Sequence, residues 1–187
     1  MVQENATVGV YRDPHKAREA LKELERTGFN LNQLSLAGMV VPGRQMAVAC
    51  YSDGTHLRCW GKLSSLWNSL SPVIKGWAFL SLPGIGPMLV CGPLALWIVA
   101  ALDNAAIFGS LSVFGATLYS IGIPKERVQY YEAALKDGNY LLIAHGPARE
   151  ITLARSVLDS IDEAHLTGSS ASGSEAVGLD ARRASDE

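Results

Sequence analysis

Cys50, His56 and Cys59 come nearest to a metal-ligating constellation in this chain, two thiolates and an imidazole within one short stretch. Geometry argues against such a site. Asp53-Gly54 is a strong two-residue hairpin signal between strand-like runs at 45–52 and 55–61. With that pair as the turn, Cys50 faces Leu57 and Val48 faces Cys59. The two cysteines then share a face only diagonally, and His56 falls on the other face. No three-ligand metal site is expected, and a disulfide is disfavoured in a reducing cytoplasm.

Other candidate chemistries are weaker. Gly84-Ile-Gly86 begins like a dinucleotide fingerprint, but the third glycine is missing and Pro87 stands where a helix would present N–H groups. His145 at the end of a strand and His15 in the first turn of a helix occupy similar places in the two halves of the chain, as a facing ligand pair would, although surface histidines are the commoner reason for such positions. Tyr130, Tyr131 and Glu132 lie on one amphipathic helix and read as packing. No Ser/His/Asp set or paired carboxylate is apparent. The sequence therefore predicts no enzyme, no catalytic residue, no cofactor and no metal.

The elements that must position these side chains are clearest at the ends. A strand is predicted over 6–12, then a helix launched by Asp13 as cap and Pro14 at its first position. Ala17, Ala20, Leu21 and Leu24 form its apolar stripe, and Gly28 stops it. A second strand at 33–38 completes a β-α-β unit. Further on, Pro124 starts a helix that ends at Asp137-Gly138. A strand at 139–145 follows, then a helix opened by Gly146-Pro147 with Ile151, Ala154, Val157, Leu158 and Ile161 inward, and a closing strand at 164–167. Two such units pairing in one sheet would make an α+β, ferredoxin-like split β-α-β repeat. The resulting division is a first half at 1–44, a β-hairpin at 45–61, an insert at 62–123, a second half at 124–167, and a disordered Ser/Gly/Ala-rich tail at 168–187.

The insert has a different composition. From Gly76 to Pro124 the one charged side chain is Asp103. Ahead of it, Leu63, Leu66, Trp67, Leu70, Val73, Ile74 and Trp77 recur at helical spacing, suiting an amphipathic helix on a membrane surface or partner, or one covering the domain's own core. A single span over 76–102 conflicts with Pro83, Gly84, Gly86, Pro87 and Pro93. A turn at 83–87, a helix over 88–102 containing Trp97, and a second helix over 104–122 fit better, with Asp103 at the tip. Ala101/Ala105/Gly109 and Ser112/Ala116/Ser120 would let the two helices approach closely; Gly115 lies within the second. If the flanking halves share a sheet, the insert must return to its starting side. A hydrophobic helical hairpin, spanning or re-entrant, is one reading. A hairpin buried in the core of a homo-oligomer is the other.

Composition narrows the class of partner. Charged residues are 18% of the chain, the net charge is −2, and no Lys/Arg stripe is visible, so phosphate-driven nucleic-acid binding is not expected. The N-terminus lacks the basic and apolar regions of a secretory signal. These features place the domain at the cytoplasmic side of an inner membrane or, alternatively, in the cytoplasm.

Residues 8–38, Leu82-Pro-Gly-Ile-Gly-Pro-Met-Leu-Val-Cys-Gly-Pro93, Gly122-Ile-Pro-Lys-Glu-Arg-Val-Gln-Tyr-Tyr-Glu132 and Gly138-Asn-Tyr-Leu-Leu-Ile143 together resemble a bacterial family. It is the group of heat- or low-temperature-induced general stress proteins with a Gly/Ala-rich hydrophobic centre. The resemblance implies a membrane-associated, non-enzymatic stress protein and supplies no catalytic residues. Trp67, Trp77 and Trp97, the Leu/Ser content and the hairpin around Asp53-Gly54 depart from it, pointing to a specialised role such as a subunit of a larger assembly.

Overall fold

The computed structural model describes residues 6–40, 49–52, 57–60, 67–68, 70, 73–103 and 111–171. The chain is α+β. Strands β1 (Ala6–Tyr11), β2 (Leu34–Met39), β5 (Trp77–Leu82), β6 (Gly86–Cys91) and β7 (Tyr140–His145) form one antiparallel sheet in the order β1-β7-β2-β6-β5. Strands β3 (Ala49–Ser52) and β4 (Leu57–Trp60) pair separately. Helices described along their length are α1 (Pro14–Arg26), α2 (Pro93–Asp103), α3 (Val113–Ser120), α4 (Lys125–Lys136) and α5 (Ala148–Ala171).

The register defines two interlocked units. β7 is antiparallel to both β1 and β2, so β1 and β2 run parallel with β7 between them. By the same reasoning β6 and β7 run parallel with β2 between them. The first β-α-β unit, β1-α1-β2, is the one expected. The second begins at β6, inside the segment read as an insert, and crosses to β7 through α2, α3 and α4. The strand expected at 164–167 is instead part of α5, which runs on to Ala171, and β7 already has neighbours on both sides. That helix also passes Gly168, where the tail was expected; residues 172–187 lie outside the described residues.

Both faces of the central strands β7, β2 and β6 are covered, which explains why those strands are so apolar. On the first face Leu34, Leu36, Leu89, Cys91, Tyr140 and Leu142 meet α1 and α5. On the second Ala37, Met88, Val90, Leu141 and Ile143 meet α2, α3 and α4. Each large side chain buried this way contributes about 1.5–3 kcal/mol. Trp67, Leu70 and Ile74 belong to the first core, so these described residues of the amphipathic segment cover the domain itself. Trp77 does not end a helix but opens β5, with its indole N–H donating to the Ile74 carbonyl at 3.0 Å.

The larger correction concerns the helical hairpin. Pro83, Gly84 and Ile85 form the turn between β5 and β6, where Leu82 pairs with Gly86 and Gly84 takes a φ of +76°. Residues 88–91 are therefore strand, held by β2 on one side and β5 on the other, and α2 begins only at Pro93. Of the second expected helix, α3 occupies 113–120; residues 104–110, Gly109 included, lie outside the described residues. Among the described residues no helix is long and apolar enough to cross a membrane.

Candidate functional site: the outer face of the second helical layer

α2 is built onto the sheet at its first turn. Gly92 has a φ of +89°, and a Cβ there would lie 2.2 Å from the Leu34 carbonyl oxygen, so only glycine lets the chain turn so close to β2. Pro93 follows, with its fixed φ suited to a first helical position. The Leu94 N–H donates to the Ser35 hydroxyl at 3.1 Å. Ser35 is fully buried, and its side chain satisfies a helix-end donor that water cannot reach.

Leu94, Ala95, Ile98 and Ala101 then face the core. The opposite side carries Leu96 at 69% exposure, Val99 at 44% and Leu102 at 39%, with Ala100 also exposed. A surface helix ordinarily turns charged or polar residues outward. α2 turns leucine and valine outward, and its one charged residue is its last, Asp103. The neighbouring α3 has no charge and exposes Tyr119.

α3 is fixed by polar contacts from α4. Ser112 caps it by accepting from the Gly115 N–H and donates to the Glu132 carboxylate. A Cβ on Gly115 would collide with that carboxylate at 2.4 Å, so the glycine makes room for the contact.

Trp97 turns inward from α2, meeting His145 edge to face with ring centroids 4.6 Å apart. Burial lowers the His145 pKa, and the Gln33 backbone carbonyl offsets part of this. Among the described residues His145 Nδ1 and Gln33 Oε1 are buried without hydrogen-bond partners. His15 does not join them. It is exposed on α1 over the other face, beyond the end of β1 at Tyr11, whereas His145 pairs with Ala6 at the start of that strand. Among the described residues no group of three His, Cys, Asp or Glu side chains could hold a metal ion.

The residues singled out in the sequence do not converge. Trp77 lies on the first face; Pro83 and Gly84 form a sheet turn; Gly86 and Pro87 start β6. Pro93, Trp97 and Asp103 belong to α2, and Gly115 lies against Glu132. Leu96, Val99 and Leu102 were missed. Their signal was present, an apolar helix with no polar side, but it was absorbed into the expectation of a hairpin.

No protein-family model, curated protein or solved structure matches the chain.

Proposed function

We propose that the chain is a non-enzymatic structural or stress-response module that works by self-association through the outer row of α2. The observation that carries this reading is the row Leu96, Val99 and Leu102, exposed on a helix of eleven residues. At 1.5 Å per residue that helix is about 16 Å long, roughly half the hydrocarbon thickness of a bilayer. It suits packing against a second copy of itself, where an isologous contact covers the same row on both partners. The ferredoxin-like character of the fold belongs to the same reading; the two split β-α-β units support it, while their crossovers on opposite faces of the sheet depart from it.

A second reading has its own support. The charge-free run and the resemblance to stress proteins favour a helix lying on the cytoplasmic face of an inner membrane. Against it, neither α2 nor α3 carries the Lys or Arg that usually draws an interfacial helix to anionic lipid.

Native mass without detergent separates the two. Self-association predicts a multiple of the 20.0 kDa chain, converted to monomer by Leu96→Lys with Val99→Glu. Stability of the monomer should stay within about 0.5 kcal/mol, as expected for surface substitutions. A wild-type monomer that floats with lipid vesicles would instead favour the membrane.

A further inference from the structure

β3 and β4 carry the two cysteines that lie outside the five-stranded sheet. Their register pairs Ala49 with Trp60, Cys50 with Cys59, Tyr51 with Arg58 and Ser52 with Leu57. This differs from the pairing that an Asp53-Gly54 turn would impose. The innermost pair is Ser52 with Leu57, so the register moves by two residues and Cys50 comes opposite Cys59 instead of diagonal to it.

That shift changes the chemistry available. Directly opposed residues of an antiparallel pair have Cα atoms about 4.5 or 5.5 Å apart, depending on the type of pair. A disulfide spans Cα separations of about 4.4–6.8 Å. Two thiolates alone leave a tetrahedral metal site half filled, so the pairing favours redox chemistry over metal binding. Cys91 is a different case: it lies in β6, fully buried, and burial pushes its thiol up to about 12. It is inert in the folded chain.

We propose that Cys50 and Cys59 form a reversible dithiol–disulfide pair, exchanging with a small disulfide of the glutathione class. One cysteine thiolate attacks a sulfur of the small disulfide, breaking its S–S bond, and one small thiolate leaves. The mixed disulfide is then attacked at the protein sulfur by the second cysteine thiolate. The Cys50–Cys59 bond forms and the second small thiolate leaves. Two protein thiols are oxidised, one small disulfide is reduced to two thiols, and the two protons pass to the released thiolates. The pair lies in the connection between β2 and Trp67. Its bond would close a ring in the segment that delivers Trp67 to the first core, on a two-stranded ribbon of a kind that is marginal by itself.

The test uses the full chain in mixtures of reduced and oxidised glutathione, quenched with acid, alkylated and cut with trypsin. Cleavage after Arg58 separates the two cysteines, so the bond joins peptides 45–58 and 59–62. In the folded chain the equilibrium constant for the joined species should exceed that of the urea-unfolded chain by about tenfold or more, a difference of about 30 mV for two electrons. Equal constants, or a reaction that stops at mixed disulfides, would overturn the proposal. The double variant Cys59→Ser with Trp60→Cys moves one thiol to the adjacent register position, on the other face of the ribbon, and keeps the cleavage site after Arg58. It should lose the preference, and retention of it would refute the role of register.

Discussion

The two helical layers bury similar apolar surfaces against one sheet and present opposite surfaces outward. α1 packs Ala17, Ala20, Leu21 and Leu24 inward and shows solvent a lattice of charge, with Lys16 bridged to Glu19 and Arg26 to Glu23. α2 packs Leu94, Ala95, Ile98 and Ala101 inward and shows Leu96, Val99 and Leu102. The inner rows account for folding in both layers. Only the outer rows differ, and outer rows are where a partner makes contact. Exposed ion pairs such as those on α1 add at most about 1 kcal/mol each, so the charge there bears on solubility more than on the fold.

The comparison can be broken at its inner rows first. Leu24→Ala and Ile98→Ala each empty a fully buried site and should each cost about 2–5 kcal/mol in denaturant unfolding. A loss at Ile98 well below that at Leu24 would mean that α2 is not held to the sheet as α1 is.

The helix starts come next. Ser35→Ala removes the buried acceptor of the Leu94 N–H and should cost about 1–3 kcal/mol. Asp13→Ala removes an exposed cap that accepts from the His15 N–H at 2.8 Å and should cost about 1 kcal/mol. The difference between the two measures what burial adds to capping.

The smallest effect is pH dependence confined to the second layer. The His145 pKa is lowered in the folded chain, so near and below the unfolded value of about 6.5 the unfolded chain binds more protons. Its contribution to stability is complete above that value and declines as pH falls through it, levelling off below the folded pKa. The urea midpoint should fall between pH 7.5 and 5.5, and His145→Gln should flatten the slope. Trp97 fluorescence would report the same transition, since its ring lies on the imidazole.

The N-terminal unit was legible because solvent lies on one side of it. The alternation of charge and apolar residues on α1 can be read directly, and its four buried residues are the four expected. The segment 88–91 was misread because a strand covered by helices on both faces loses that alternation. Met88, Leu89, Val90 and Cys91 are all buried, and such a run looks the same whether its surroundings are lipid, helices or another subunit. The Pro-Gly-Ile-Gly-Pro run marked a turn correctly, but nothing local specified strands rather than helices on either side. The β3–β4 register shows the same limit. Asp53-Gly54 marked a connection, while the pairs that close it depend on the strands. The outer row of α2 was legible as composition, and its exposure required the position of the sheet.

Strand β7 lies between β1 and β2, yet it is the last of the five in chain order. During synthesis, β1, α1 and β2 emerge with a gap one strand wide between the two strands, and neither can fill it for the other. β2, β6 and β5 can pair before then, but β1 has no strand partner until residues 140–145 arrive, and their contacts with it are among the most distant in the chain. Closing over so long a sequence separation makes this last step a slow one. Until it happens, the facing edges of β1 and β2 stay open to other chains, and a ribosome stalled before Tyr140 would hold a three-stranded β2-β6-β5 sheet with β1 unattached to it.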